Sequence, residues 1–91
     1  MSNNVRIPPP LRNLTAERDV VPAEGANIGE ILSDLEKNHP GLKERICDET
    51  GKVRRFVNIF LNDEDIRFLD GLETEVPDGA EVTILPAVGG G

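Results

Sequence analysis

Cysteine is almost absent from this chain: Cys47 stands alone, so no internal disulfide can form. No grouping of Cys and His has the spacing of a zinc or iron–sulfur site. Long hydrophobic runs are missing too. No apolar stretch approaches the roughly 20 residues needed to cross a bilayer, and Ser2-Asn3-Asn4 after Met1 lacks the basic and apolar regions of a signal peptide. The cytoplasm is the expected compartment. Positive charge is scarce, with ten Lys and Arg against seventeen Asp and Glu, for a formal charge of −7. Such a balance repels phosphate backbones and anionic lipid, which argues against nucleic-acid and membrane partners. It suits docking onto basic protein partners, although an acidic surplus commonly serves solubility alone. Length is the last shortage. With 91 residues, a single domain spanning 1–91 buries only about 60% of its unfolded surface, which leaves little room for a deep enzymatic pocket.

Val5-Arg6-Ile7 alternates apolar and polar residues as a strand does, and Pro8-Pro9-Pro10 ends it because proline has no N–H for a ladder bond. A loop to about Glu17 follows, and Arg18 to Ala23 reads as a second strand forming a hairpin with the first. Ile28, Ile31, Leu32 and Leu35 fall at i, i+3, i+4 and i+7, one stripe of a helix. Asn27 stands at its N-cap, Glu30 completes a capping box, and Pro40-Gly41 stops it after His39. Leu42 to Cys47 can add a helical turn, and Asp48 to Lys52 reads as a polar loop. Arg55 to Asn62 reads as a central strand with Val57, Ile59 and Leu61 on one face and Phe56, Asn58 and Phe60 on the other. After an acidic turn from Asn62 to Asp65, Ile66 to Phe68 reads as a short edge strand. Pro77-Asp78-Gly79 carries turn chemistry before a last strand from Glu81 to Leu85. No repeat or interdomain linker interrupts this order. Strand, strand, helix, strand, short strand, strand predicts an α+β fold: a mixed sheet with one main helix across one face, the β-grasp or ubiquitin-like arrangement.

The last strand runs into Pro86-Ala87-Val88-Gly89-Gly90-Gly91, so residues 86–91 form a tail that starts from the extended Leu85-Pro86 step. Without Cβ atoms, Gly89, Gly90 and Gly91 can thread a narrow channel together with Val88 and bring backbone close to a nucleotide phosphate. The reactive group is then the terminal carboxylate. A carboxylate is a poor acceptor until ATP converts it to an acyl-adenylate, after which a sulfur nucleophile displaces AMP and leaves a thiocarboxylate. Terminal glycines can also simply fray. Their position directly after the final strand of a ubiquitin-like order favours the chemical reading.

The run Asp78-Gly79-Ala80-Glu81-Val82-Thr83-Ile84-Leu85-Pro86-Ala87-Val88-Gly89-Gly90-Gly91 resembles the ending of the ThiS and MoaD sulfur carriers. Arg55-Phe56-Val57-Asn58-Ile59-Phe60-Leu61-Asn62-Asp63-Glu64-Asp65-Ile66-Arg67 resembles the cysteine-biosynthesis branch more than the thiamine carriers. Gly89 departs from the Ala or Ser of many relatives, and Ala87 from the Pro of molybdopterin-type members, which mildly favours the cysteine branch. The resemblance implies a carrier rather than an enzyme, with Gly91 bearing the thiocarboxylate. It implies no bound cofactor, ATP being used by an E1-like adenylating enzyme with sulfurtransferase function. It further implies an acceptor of the pyridoxal-phosphate cysteine-synthase type using O-phosphoserine, and a processing metalloprotease that releases the product. Alternatives are the small subunit of molybdopterin synthase, a ubiquitin-like protein modifier, and a pure binding module.

If the helix covers the face bearing Val57, Ile59 and Leu61, then Phe56, Phe60 and Leu85 face outward beside the tail as a partner-docking patch. For Phe56 a covering loop is an equal alternative. His39 sits at a helix C-terminus with no nucleophile spaced to use it, which points to a structural role. Cys47 reads as a small core residue rather than a redox thiol. Asp63-Glu64-Asp65 lacks the remaining ligands of a calcium loop and reads as a solvated turn. Arg54 and Arg55 could meet a partner's acids, although exposed charges of this kind usually contribute little.

Overall fold

The computed structural model describes residues 2–55 and 57–86. Its elements are β1 (Ser2–Arg6), β2 (Val20–Glu24), α1 (Ile28–Asn38), α2 (Leu42–Ile46), β3 (Val57–Leu61), β4 (Glu64–Asp65) and β5 (Glu81–Pro86). The strands form one mixed sheet in the order β2-β1-β5-β3-β4. β1 lies antiparallel to β2 and parallel to β5, and β3 lies antiparallel to both β5 and β4. The parallel pair at the centre joins the first and last strands, so everything between them serves as the crossover that parallel pairing requires. This is the expected β-grasp arrangement.

Strand alternation decides which face is covered. Val57, Ile59, Val82 and Ile84 are buried, whereas Thr83 and Asn58 are partly open and Leu85 is exposed. The helix α1 lies across the buried face with Ile28, Ile31, Leu32 and Leu35 all at most 1% exposed. Burying each such side chain contributes about 1.5–3 kcal/mol. Asn27 Oδ1 accepts the Glu30 N–H at 2.8 Å, and the Glu30 carboxylate accepts the Ala26 N–H at 2.8 Å. The reciprocal half of the capping box therefore reaches one residue earlier than Asn27. At the far end the His39 N–H donates to the Leu35 carbonyl, and the Glu36 carboxylate accepts the N–H groups of Gly41 and Lys43, which ties α2 to α1.

Three sequence expectations change. The first hairpin pairs Ser2–Arg6 with Val20–Glu24, a shift of a few residues at each end, and the segment expected to be loop holds a 3₁₀ turn over Pro9–Leu14. The edge strand is only Glu64–Asp65, so the acidic turn is shorter than expected. Ile66–Phe68 is a 3₁₀ turn and not a strand. There the Asp65 carboxylate accepts the Arg67 N–H at 2.9 Å, and the Leu69 N–H returns to the Ile66 carbonyl at 3.0 Å. With the Arg67 N–H and the Ile66 carbonyl used locally, these two groups do not serve a ladder. Ile66 and Phe68 would share a face in a strand, yet Ile66 is 2% exposed and Phe68 86%. The Pro77-Asp78-Gly79 turn stands as expected, closed by the Ala80 N–H on the Pro77 carbonyl at 3.1 Å with Gly79 at φ +83°. Among the described residues no helix is long and apolar enough to cross a membrane.

Candidate functional site

The last strand delivers the chain to one end of the sheet. Pro86 stands opposite Val57. Because β5 and β3 run antiparallel, Pro86 at the end of β5 lies beside the start of β3. Of the tail expected over residues 86–91, Pro86 is the last residue of β5, and residues 87–91, with Val88, Gly89, Gly90 and Gly91 among them, lie outside the described residues, as does Phe56.

On the face away from α1, Phe60 and Leu85 come together. Phe60 pairs directly with Thr83 and Leu85 with Asn58, which makes the two apolar residues diagonal neighbours across β3 and β5. With Thr83, Asn62 and Asp63 they line a shallow cleft of about 230 Å³. Leu85 is 44% exposed and Phe60 is half-buried. Elsewhere on this face Arg6 and Glu81 form an ion pair at 3.0 Å, with both side chains about half exposed (57% and 45%). Solvent screening leaves such a pair little net stabilisation.

Arg67 holds the start of β3, opposite Pro86. β4 pairs only with Phe60 and Leu61, so the rest of that edge of β3 has no strand beside it. The Arg67 Nη2 donates to the Val57 carbonyl at 2.8 Å and approaches the carbonyls of Arg54 and Arg55 at 3.5 Å each. A guanidinium with several donors in a fixed fork replaces the absent ladder there. In sequence, Arg67 sits in a run read as strand, and nothing in its spacing points to carbonyls ten to thirteen residues away.

Of the remaining candidates, Asp63 lines the Phe60 and Leu85 cleft, whereas His39 and Cys47 do not. His39 caps α1 through its backbone. Cys47 is buried, and desolvation of its thiolate raises the thiol pKa against the opposing charge of Lys43. Asp63, Glu64 and Asp65 form no group able to hold a metal ion among the described residues.

Comparison with known proteins fits this architecture. Residues 5–91 match the ThiS family. The sulfur carrier protein CysO of Mycobacterium tuberculosis is 50% identical over 93 residues, spanning 100% of both chains. The crystal structure of that species' CysO superimposes with a TM-score of 0.91 at 50% identity, covering 94% of this chain and 99% of the other. A chain in the crystal structure of the Amycolatopsis orientalis BexX/CysO complex also superimposes with a TM-score of 0.91, at 49% identity, covering 98% of this chain and 99% of that one. With the family match running through almost the whole sequence and a full-length relative at this identity, the chain belongs to the ThiS family.

Proposed function

We propose that this sulfur carrier works through the carboxylate of Gly91 and donates sulfur for cysteine biosynthesis. The observation that carries the reading is full-length identity of 50% to a protein described as the sulfur carrier CysO. The pairing of β5 with β3 as far as Pro86, with five residues following it in the sequence, supports it.

The chemistry has two stages. An E1-like adenylating enzyme attacks ATP with the Gly91 carboxylate, releasing pyrophosphate and leaving an acyl-adenylate. A sulfur nucleophile then adds to that carbonyl carbon, and AMP departs with the C–O bond electrons, which yields the thiocarboxylate. ATP belongs to the activating enzyme, and the carrier holds no cofactor of its own. At the acceptor, a pyridoxal-phosphate cysteine synthase using O-phosphoserine, the sulfur forms a bond to the serine Cβ as phosphate leaves. A metalloprotease then hydrolyses the product from Gly91. Val88, Gly89 and Gly90 thread the partner channels, since residues with little or no side chain pass where bulkier ones cannot. Phe60 and Leu85 form the docking patch, and Phe56 joins them in this reading. The solved BexX/CysO complex supports the idea that carriers of this kind engage another protein directly.

Incubation of the purified protein with ATP, a sulfide source and its adenylating enzyme tests the proposal. Intact mass should rise by one oxygen-to-sulfur exchange, and a variant lacking Gly91 should show no such rise. An unmodified wild-type terminus, with an enzyme proven active on another carrier, would end this reading.

A further inference from the structure

The positive charge of this acidic chain is gathered where the tail begins. Lys52, Arg54, Arg55 and Arg67 make up four of the ten basic residues and all are exposed. Arg67 grips the carbonyls of Arg54, Arg55 and Val57, and Val57 stands opposite Pro86, so these three arginines lie one strand away from the last described residue of β5. Among the described residues the charged nitrogens of these four groups form no ion pair, in contrast to Arg6 with Glu81. The polar donors that are engaged, Arg54 Nε on the Glu44 carbonyl at 2.9 Å and Arg67 on β3, meet neutral acceptors. Among the described residues no carboxylate lies within ion-pair distance of them, although Arg54 is close enough to Asp48 to add to the Thr50 and Lys52 hydrogen bonds in lowering its pKa.

An apolar cleft opens within the same cluster. It measures about 240 Å³, with Val53, Ile59, Ile66 and Leu72 in its walls, Lys52 and Arg67 beside them, and no carboxylate in the lining. A hollow of this size is just below the range of small-ligand pockets and accommodates one or two side chains. Cations around an apolar hollow match a complementary surface of opposite sign.

We infer that this basic-rimmed cleft is a second docking site, which receives an apolar side chain flanked by Asp or Glu at the mouth of the adenylating enzyme's tail channel. The inference rests on the reading that the tail enters such a channel. Five residues follow Pro86, and fully extended they span no more than roughly 17 Å. An enzyme that reacts with the Gly91 carboxylate must therefore bring its surface against the tail root, where the basic cluster lies. The cleft differs from the Phe60 and Leu85 patch, which opens on the outward sheet face. The acidic remainder of the carrier repels an acidic channel mouth, so the cluster also fixes which end approaches first.

Affinity for the adenylating enzyme, measured by titration calorimetry without ATP, tests the inference. The test variant is K52E/R55E, whose two side chains are exposed and make no hydrogen bond among the described residues. The control is R18E/K37E, which has the same net charge and alters exposed residues elsewhere. In low salt the test variant should bind about ten-fold more weakly than the control, with the gap narrowing in about 0.5 M salt as rim charges are screened. Equal Kd values for the two variants would overturn the inference. Tighter binding by K52E/R55E would overturn it as well, because it would mean that the chain's own terminal carboxylate occupies the cluster. Binding is read without turnover. Failure to form a thiocarboxylate would thus count against the chemistry at Gly91 and leave the docking site to be judged on Kd.

Discussion

Replacing Gly25 with alanine puts a methyl group where there is no space for one. A Cβ at that position would lie 2.7 Å from the Ile31 backbone nitrogen and 2.8 Å from the Glu30 carbonyl carbon and Cβ. Backbone atoms cannot rotate away as a side chain can, so either the end of β2 or the first turn of α1 must move. That turn is fixed by four hydrogen bonds: Glu30 N–H to Asn27, Ala26 N–H to Glu30, Ile28 N–H to the Thr74 carbonyl at 3.0 Å, and Val76 N–H to the Ala26 carbonyl at 2.9 Å. Overpacking of this kind costs about 1–3 kcal/mol, and disruption of an N-cap adds about 1. We therefore expect Gly25→Ala to lose about 2–4 kcal/mol, against a total stability on the order of 5–15 for a small domain. Thermal unfolding followed by circular dichroism should show a midpoint lower by at least about 10 °C. The companion variant Gly29→Ala isolates the cause. Its Cβ would meet the Leu72 carbonyl at 3.4 Å, the near edge of ordinary contact, and lies in the helix, where alanine is preferred to glycine. It should be neutral or stabilising by up to about 1 kcal/mol. A Gly25→Ala midpoint within a few degrees of wild type would refute the close-approach argument.

Other perturbations read separate parts of the structure. Asp48 accepts the Thr50 hydroxyl at 2.6 Å and the N–H groups of Thr50 and Lys52, and these bonds, the hydroxyl first, hold its carboxyl below the ordinary range. A depressed carboxyl contributes stability that is present above its unfolded pKa and is lost as pH falls through the folded value. Thr50→Val should therefore raise the Asp48 pKa in a carbon-detected NMR titration and reduce the loss of stability between pH 5 and the acid limit; an unchanged titration would remove the hydroxyl as the cause. Cys47, buried with a raised thiol pKa, should react with iodoacetamide at pH 8 many-fold more slowly than in urea, and equal rates would contradict its burial. Phe68→Ser should leave stability within about 0.5 kcal/mol of wild type, whereas Ile59→Ala should cost about 2–5. Similar denaturation midpoints for those two variants would show that Phe68 is not on the surface.

The helix was legible because its signals are local. Four apolar residues at helical spacing, a capping Asn and a following Pro-Gly each act within one or two turns, and α1 formed where they placed it. The alternation in β3 likewise separated Val57 and Ile59, which are buried, from Asn58 and Phe60 on the other face. Ile66–Phe68 was misread because three residues hold too little pattern to separate a strand from a 3₁₀ turn. The hydrogen bond from the Arg67 N–H to Asp65 decided the matter. On the site itself, Phe60 and Leu85 were expected to share the outward face, and they do. The gathering of Lys52, Arg54, Arg55 and Arg67 gave no signal in the chain order beyond two adjacent arginines.

The sequence by itself determined the main helix with its cap and the alternating strands. Each depends on residue chemistry or on a period shorter than about ten residues. Tertiary structure alone decided that the first and last strands pair in parallel at the centre of the sheet, that Pro86 lies opposite Val57, and that Arg67 closes the edge of β3 beside them. Those contacts join residues far apart in sequence, and they exist only because burying one face of the sheet under α1 fixes the register of every strand.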